Sequence, residues 1–287
     1  MVRRDRRAGT TSNAGHGRLP AIGGGSLPEG HALHRLARTL RPLTGCQVRA
    51  TSPQGRFADG ARAIDARRLE SVEAFGKHLL LGFGEADVHI HLGLAGSMFE
   101  DDPAASPRPG VRLRMVFDEA AVAWNLVAPS RCEVLSAADR EALLSRLGPD
   151  PLRGDDPTRA FLRISGSGRA IGELLLDQNV IAGVGNVLRA EVLHRCGVHP
   201  ARPGLSIRRA ELSCLWETLV RVMDRATAEG RIITVDAAAG VARDSIDESE
   251  GRYIYKQERC RVCGAEVRSW PLGARQAYAC ELCQPVA

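Results

Sequence analysis

The sequence lacks the segments that would place a protein in or across a membrane. No apolar run in its 287 residues approaches the length of a membrane span. Arginines near the start are not followed by the apolar stretch of a secretory signal peptide. We also find no internal repeat. The composition, 44% hydrophobic and 25% charged, is typical of a globular protein, and we expect a cytoplasmic one.

Strong basic charge is missing from most of the chain, although the net charge is +5. Residues 1–27 hold five arginines against one acidic residue. The rest of the chain carries 34 basic and 33 acidic side chains. Any binding to nucleic acid must therefore depend on a local basic face rather than on bulk charge.

The N-terminal segment 1–27 has no sign of regular structure. Residues 1–26 consist largely of Arg, Gly, Ser, Thr and Asn, and we expect them to be disordered. Three glycines at 23–25 precede Leu27. Purine-rich ribosome-binding sequence encodes glycine when it is translated in frame, and some leucine codons also start bacterial genes. Our hypothesis is that Leu27 is the initiator and that residues 1–26 are a translated leader, so that the native protein lacks residues 1–27; the alternative is a flexible arm, one that could bind DNA.

From residue 28 onwards, strands precede helices. Leu33, Leu36 and Leu40 have helical spacing, and Pro42 ends that helix. Short apolar runs punctuated by Gly, Pro and Asp predict strands over 47–50, 71–75, 78–83, 88–92, 111–117 and 121–126. Helical patterns follow over 137–147, 158–164, 171–178, 184–196 and 207–229.

This order predicts an α+β protein of several domains. A β-sandwich domain would span 28–148, because Gly148-Pro149-Asp150-Pro151 breaks the chain there. A helical domain would span 149–251, and a small hairpin module would span 252–287.

The eight cysteines fall into two groups. Four are scattered in apolar or mixed surroundings, and we interpret each as a small buried hydrophobic residue: Cys46, Cys132, Cys196 and Cys214. The other four have the two-knuckle spacing of a structural zinc site, with sixteen residues between the knuckles: Cys260, Cys263, Cys280 and Cys283. Disulfides or redox thiols are the alternative, but a cytosol keeps thiols reduced. We predict one bound Zn²⁺.

A glycine-rich turn at 177–186 joins two of the predicted helices. Gly183 and Gly185 would expose backbone N–H groups where the second helix starts, and such a terminus is an anion site. Asn186 would donate to a phosphate from the first turn. An ordinary corner between two helices explains the turn equally well when it is considered alone.

Several of these motifs occur together in one order. They are Pro28-Glu29-Gly30, Lys77 within Phe75–Leu80, the junction 147–152, the segment 175–200 and the cysteine hairpin. Together they resemble the formamidopyrimidine-DNA glycosylase and endonuclease VIII family of bifunctional DNA glycosylases. The likeness extends from Pro28 to Gln284. It implies a β-sandwich, a helix–two-turn–helix domain and a zinc-finger hairpin, with DNA in the cleft between them.

The resemblance also implies roles for individual residues. Pro28 would attack the damaged nucleotide through its free amine and form a Schiff base, and Glu29 would protonate the deoxyribose ring oxygen. Lys77 matches a lysine that contacts DNA and transfers protons in β-elimination. Asn186 matches a phosphate-binding asparagine, and Arg275 matches an arginine tied to phosphate binding and δ-elimination. A plain structural role remains open for Lys77, Arg275 and Glu29 taken singly.

Other positions differ from the pattern of the family. Many members have a second glutamate where this chain has His31-Ala32. Leu94 lies where members place an apolar residue that fills the gap left by a flipped base. The Arg-plus-aromatic loop of oxidised-purine enzymes is not recognisable in 128–132, and the stretch before Cys260 is short. Both features favour the endonuclease VIII side and oxidised pyrimidines.

The sequence therefore favours a base excision repair glycosylase with AP-lyase activity. It would act as a monomer on damaged double-stranded DNA, in the bacterial cytoplasm with the chromosome. One alternative is a protein of the same fold that binds damaged or abasic DNA without lyase chemistry, because the N-terminal segment blocks Pro28. A second alternative is an unrelated zinc-ribbon protein that binds nucleic acid.

Overall fold

The computed structural model describes residues 28–236 and 242–286, together with Ile22. The predicted leader and Leu27 lie outside the described residues, apart from this one position. Ile22 is buried and exchanges two backbone hydrogen bonds of 2.9 Å with Met98. The expectation of disorder is therefore wrong for Ile22.

The first half of the chain is a sandwich of two antiparallel four-stranded sheets. One sheet has the order β1-β6-β7-β5 and the other the order β2-β3-β4-β8. Their strands are β1 Arg49–Thr51, β2 Ser71–Phe75, β3 His78–Phe83, β4 Ala86–His91, β5 Ser97–Asp101, β6 Val111–Phe117, β7 Val122–Val127 and β8 Arg131–Leu135. Two helices accompany them, α1 Gly30–Leu40 and α2 Ala58–Ile64.

Apolar side chains that alternate along the strands fill the space between the sheets. Helix α1 adds Leu33, Leu36 and Leu40 to this core, and all three are essentially inaccessible to solvent. Because this face of α1 is fixed on the sandwich, the residues just before the helix are held at the edge of the domain.

The second half is helical and ends in a β-hairpin. The helices are α3 Ala137–Arg146, α4 Thr158–Ser165, α5 Ile171–Leu174, α6 Asn186–Arg195 and α7 Arg209–Glu229. The hairpin strands are β9 Arg268–Leu272 and β10 Arg275–Ala279. A second core joins α4 to α7 and includes Tyr255, Cys260 and Cys280 from the C-terminal region. The predicted α+β architecture, with sandwich, helical part and cysteine hairpin, is confirmed.

Several predicted elements need correction. Helix α2 and strands β5 and β8 were not predicted, because their mixed polar and apolar residues give no clean period. The helix predicted over 171–178 ends at Leu174. The Gln178 side chain bonds to the Gly183 N–H and the Val184 carbonyl, which stabilises a turn in place of further helix. Helix α6 starts at Asn186 because Gly183, with φ of +90°, is left-handed.

The interpretation of the four scattered cysteines as small buried hydrophobic residues is wrong for two of them. Cys196, at the end of α6, forms a disulfide with Cys214 on α7. The pair was missed because eighteen positions separate the cysteines in sequence and only the packing of α6 on α7 brings them together. Cys46 and Cys132 do pack, half-buried, against the sandwich core.

Among the described helices, none combines the length and the apolar character that crossing a membrane requires.

Candidate active site

The carboxylate of Glu29 lies in the N-terminal end of helix α6. It accepts hydrogen bonds from the backbone N–H groups of Gly185 at 2.9 Å, Val187 at 2.8 Å and Leu188 at 3.2 Å. These are N–H groups that an α-helix cannot satisfy itself, and the helix dipole favours an anion there. The start of the sandwich domain is therefore joined to the helical domain through one buried side chain, next to buried Pro28.

This contact corrects the expectation of open N–H groups in the glycine-rich turn. The Gly183 N–H donates to Gln178 Oε1 at 2.9 Å, and the Gly185 N–H donates to Glu29. The anion at this helix terminus is therefore a carboxylate of the same chain. A part for Gly183 and Gly185 in DNA binding stays a prediction.

Glycine is required where these segments meet. A Cβ on Gly185 would lie 2.3 Å from Cδ of Glu29. A Cβ on Gly30 would lie 2.7 Å from Cα of Gly183, and the Gly30 N–H donates to the Gly183 carbonyl at 2.8 Å. Because these side chains are absent, the backbones approach closely enough for the carboxylate to reach the helix.

Burial and the neighbouring groups have opposite effects on the pKa of Glu29. Burial raises the pKa of Glu29 above its ordinary value, while the nearby Lys77 ammonium and the three N–H donors act in the opposite direction. Burial lowers the pKa of Lys77, and the neighbouring Arg275 guanidinium lowers it further. A carboxyl group that holds its proton more readily, beside an amine that loses its proton more readily, suits acid–base chemistry.

Asp150, which the sequence analysis placed only in the domain junction, fixes the turn that carries Lys77. Lys77 lies in the tight turn between β2 and β3, where Gly76 has φ of +57°. Oδ2 of Asp150 accepts the Gly76 N–H at 2.7 Å and lies 2.8 Å from Nε2 of His34 on α1. Asp150 is buried, and its carboxylate is bonded to residues of separate elements. These partners are distant in sequence, so the sequence alone did not indicate this role.

The hairpin contributes Arg275, which is exposed at the start of β10. Its neighbour Gln276 is held from helix α6, because the Gln276 carbonyl accepts from Asn186 Nδ2 at 3.1 Å and from Arg189 at 2.6 Å. Arg189 was not singled out from the sequence, although it is only 1% exposed. Asn186 thus uses one amide hydrogen within the chain.

The remaining predicted positions lie apart from this cluster or within the core. Leu94, in the β4–β5 connection, is 61% exposed, which is unusual for a large apolar side chain. His31 is buried, and burial lowers its pKa to about 3, so it is neutral at physiological pH. His31 therefore does not supply the charge of the glutamate that many family members have there.

The four C-terminal cysteines form a cluster that fits a tetrahedral metal ion. Their ligand atoms all lie within 4.8 Å of one another. Sγ of Cys263 is 3.4 Å from Sγ of Cys280 and 3.6 Å from Sγ of Cys283, and Sγ of Cys260 is 3.9 Å from Sγ of Cys283. A tetrahedron with zinc–sulfur bonds of about 2.3 Å has edges of about 3.8 Å. The cluster can hold a metal ion.

Sequence comparisons assign the chain to a family. The profile of the formamidopyrimidine-DNA glycosylase N-terminal domain matches residues 27–128, and that of the formamidopyrimidine-DNA glycosylase H2TH domain matches residues 147–237. Endonuclease 8 1 of Mycobacterium tuberculosis is 42% identical over 269 residues, which cover 90% of this chain and all of that protein. The chain belongs to the formamidopyrimidine-DNA glycosylase family.

Further proteins named as formamidopyrimidine-DNA glycosylases are similar to this chain in sequence or in structure. Formamidopyrimidine-DNA glycosylase of Methylococcus capsulatus is 33% identical over 79% of this chain and 86% of its own. The Lactococcus lactis enzyme, solved with DNA that contains N7-benzyl-Fapy-dG, has a TM-score of 0.73 at 21% identity and covers 90% of this chain and 100% of its own. Its complex with abasic-site DNA has a TM-score of 0.72 at 20% identity, covering 90% and 99%.

Family membership makes the protein an enzyme of base excision repair, a DNA glycosylase with the AP-lyase activity that is typical of the family. It also rules out an unrelated zinc-ribbon protein, since both the sandwich and the helical part match the family.

Proposed function

We propose that the protein removes oxidised bases, preferably pyrimidines, from damaged double-stranded DNA through a Schiff base on Pro28 and then cleaves the strand. The observation that carries this proposal is the Glu29 carboxyl group, buried beside Pro28 and close to Lys77. An acid, a basic amine and an imino nitrogen are the groups that this chemistry needs, and all three lie at the junction of the two domains.

The reaction begins with two linked events. The Pro28 nitrogen attacks C1′ of the damaged nucleotide, and Glu29 protonates the ring oxygen so that the sugar opens. The base leaves, and an iminium joins Pro28 to C1′. Its positive charge acidifies the C2′ protons, so removal of one of them expels the 3′ phosphate by β-elimination. Lys77 takes part in that proton transfer, and Arg275 binds a flanking phosphate and assists any δ-elimination.

The nucleophile requires Pro28 to be the first residue of the active protein. Inside a peptide bond its nitrogen lone pair is delocalised, and it cannot attack. The profile of the N-terminal domain begins at residue 27, and a relative matched over its whole length covers 90% of this chain. Both findings support an active form without the leader. We propose that this form consists of the sandwich over 28–148, the helical domain over 149–251 and the hairpin over 252–287.

DNA would lie across the junction, where Lys77, Asn186 and Arg275 face its phosphates. Leu94 would enter the duplex in place of the flipped base, and the backbone at Gly183 and Gly185 would lie close to the strand. Oxidised pyrimidines are favoured because only residues 128–130 separate β7 from β8, which leaves no room there for a second gap-filling loop.

The cysteine cluster would hold one structural zinc ion through Cys260, Cys263, Cys280 and Cys283. Four thiolates leave no open position, so zinc stabilises the hairpin that carries Arg275 and does not take part in the reaction. We place the enzyme in the bacterial cytoplasm with the chromosome and expect a monomer, which gel filtration of the purified protein would check.

Borohydride trapping tests the proposal. Protein that starts at Pro28 is incubated with abasic-site duplex DNA and borohydride, which reduces a Schiff base to a stable adduct. We expect an adduct whose N-terminal peptide carries the sugar, and no such adduct from Pro28→Gly or from the unchanged chain that retains residues 1–27, in which the Pro28 nitrogen is an amide. Binding without any adduct from the chain that starts at Pro28 would favour the alternative of a DNA-binding protein without lyase activity.

A further inference from the structure

The disulfide between Cys196 and Cys214 lies outside the active site, and the reaction does not use it. Cys196 caps the C-terminal end of α6 and Cys214 lies on α7, with Cα atoms 6.0 Å apart. Both residues are half-buried and not enclosed in the core. A cytosol keeps exposed thiols reduced, and the bond therefore depends on oxidising conditions.

The residues around Cys196 support the cysteine hairpin. Nε2 of His194 lies 3.3 Å from Sγ of Cys260. The buried Gln284 side chain donates to the Val198 carbonyl at 2.8 Å and accepts the Cys280 N–H at 3.1 Å. We call residues 194–198 the hairpin seat, because this short segment contacts the cysteine cluster at both knuckles.

We propose that Cys196 and Cys214 form a reversible oxidation site that fixes the hairpin seat to helix α7. Without the bond, the seat is held by the last turn of α6, by packing and by the hydrogen bonds that Arg195 and Gln284 make to the Thr234 and Val198 carbonyls. With the bond, the seat cannot move away from α7, and the hairpin that rests on it keeps its metal longer. This inference does not depend on the proposed glycosylase mechanism.

A peroxide is the oxidant that we assign. One thiolate attacks a peroxide oxygen, breaks the O–O bond and becomes a sulfenic acid, while the other oxygen leaves as water after protonation. The second thiolate then attacks that sulfur and expels hydroxide, which takes up a proton. The two cysteines lose two electrons and two protons in total, and one hydrogen peroxide becomes two waters. A cellular dithiol reduces the disulfide again by thiol–disulfide exchange.

The bond should change stability by a measurable amount. It closes a loop with a sequence separation of 18 residues, which restricts the unfolded chain. For a protein of this size, a loop of that length raises Tm by about 5–10 °C. We also expect zinc transfer to a chelator to become at least severalfold slower, because opening of the hairpin requires the seat to move.

The test uses the zinc-loaded full chain, treated either with one equivalent of hydrogen peroxide or with a phosphine reductant. Peptide mapping after thiol blocking reports the bond, thermal unfolding gives Tm, and a chromogenic chelator follows zinc release. The matched control is the double variant C196S/C214S, which lacks both thiols and leaves the four cluster cysteines intact.

We expect the oxidised chain to contain the linked peptide, unfold at the higher temperature and release zinc more slowly. The double variant should behave like the reduced chain after either treatment. The proposal is overturned if peroxide produces no linked peptide, if it oxidises the cluster cysteines first, or if the linked chain matches the reduced chain in both Tm and zinc release.

Discussion

Replacing Gly185 with alanine tests whether the contact between Glu29 and helix α6 is essential. Gly185 has φ of −119° and ψ of −165°, an extended conformation that alanine adopts without strain. The backbone therefore tolerates the change, and the whole effect comes from the added methyl group. That group would lie 2.3 Å from Cδ and 2.5 Å from Oε1 of Glu29, so the carboxylate must move.

The displacement has a cost that can be bounded from the structure. Three backbone N–H groups donate to the carboxylate, and a hydrogen bond to a charged group contributes about 1.5–3 kcal/mol. Loss of at least one bond outweighs the gain of about 0.4–1 kcal/mol from a stiffer unfolded chain. We expect a net loss of about 1–2 kcal/mol in stability. A misplacement of about 1 Å in the acid should slow base excision by about 100-fold.

Single-turnover excision on duplex DNA with one oxidised pyrimidine measures the rate, and urea unfolding measures the free energy of unfolding. The matched control is Gly168→Ala in the same half of the chain, where the nearest atom to the new methyl group is 3.9 Å away. The reasoning is refuted if Gly185→Ala excises the base within threefold of the parent rate while the control also stays unchanged.

Three further changes probe separate parts of the protein. Because Lys77 accepts a proton as a neutral amine and burial lowers its pKa below the ordinary 10.5, kcat/KM for abasic-site cleavage should rise as pH increases through that lowered pKa, and Lys77→Arg, which stays charged, should lose this rise; an unchanged pH profile would contradict the assignment. Cys263→Ser should lower bound zinc, measured by mass spectrometry, well below one ion per chain, whereas Cys46→Ser, outside the cluster, should keep full occupancy. Leu94→Ala should leave Tm unchanged because the side chain is 61% exposed, yet slow excision from duplex DNA about tenfold more than excision from single strands; equal slowing on both would exclude a role within the duplex.

Local patterns were enough to predict much of the fold. Strands β2, β3 and β6 have the predicted bounds, because each is a short run of apolar and β-branched residues between turn residues. Helix α1 follows from the spacing of its leucines. Strand β8, by contrast, is recognisable only through its pairing with β4, since its own sequence mixes charged and apolar residues.

The candidate site likewise has features that the sequence indicated and features that only the folded chain shows. The sequence supplied the residue types and their order, and the resemblance to a family gave them roles. It did not indicate that the Glu29 carboxylate occupies the N-terminus of α6 instead of a phosphate, or that Asp150 holds the Lys77 turn. Both contacts span more than seventy positions, and no local period encodes such a distance.

The amino-acid order by itself determined most of the strands and helices and the shared spacing of four cysteines, because these properties depend on neighbours within a few positions. Tertiary structure decided the rest. The approach of Glu29 to the start of α6 gave its carboxyl group its partners, and burial there raised the pKa of Glu29 and lowered that of Lys77. The packing of α6 on α7 brought Cys196 to Cys214. Desolvation and long-range contact exist only once the chain has folded, and these effects determine the chemistry of the site.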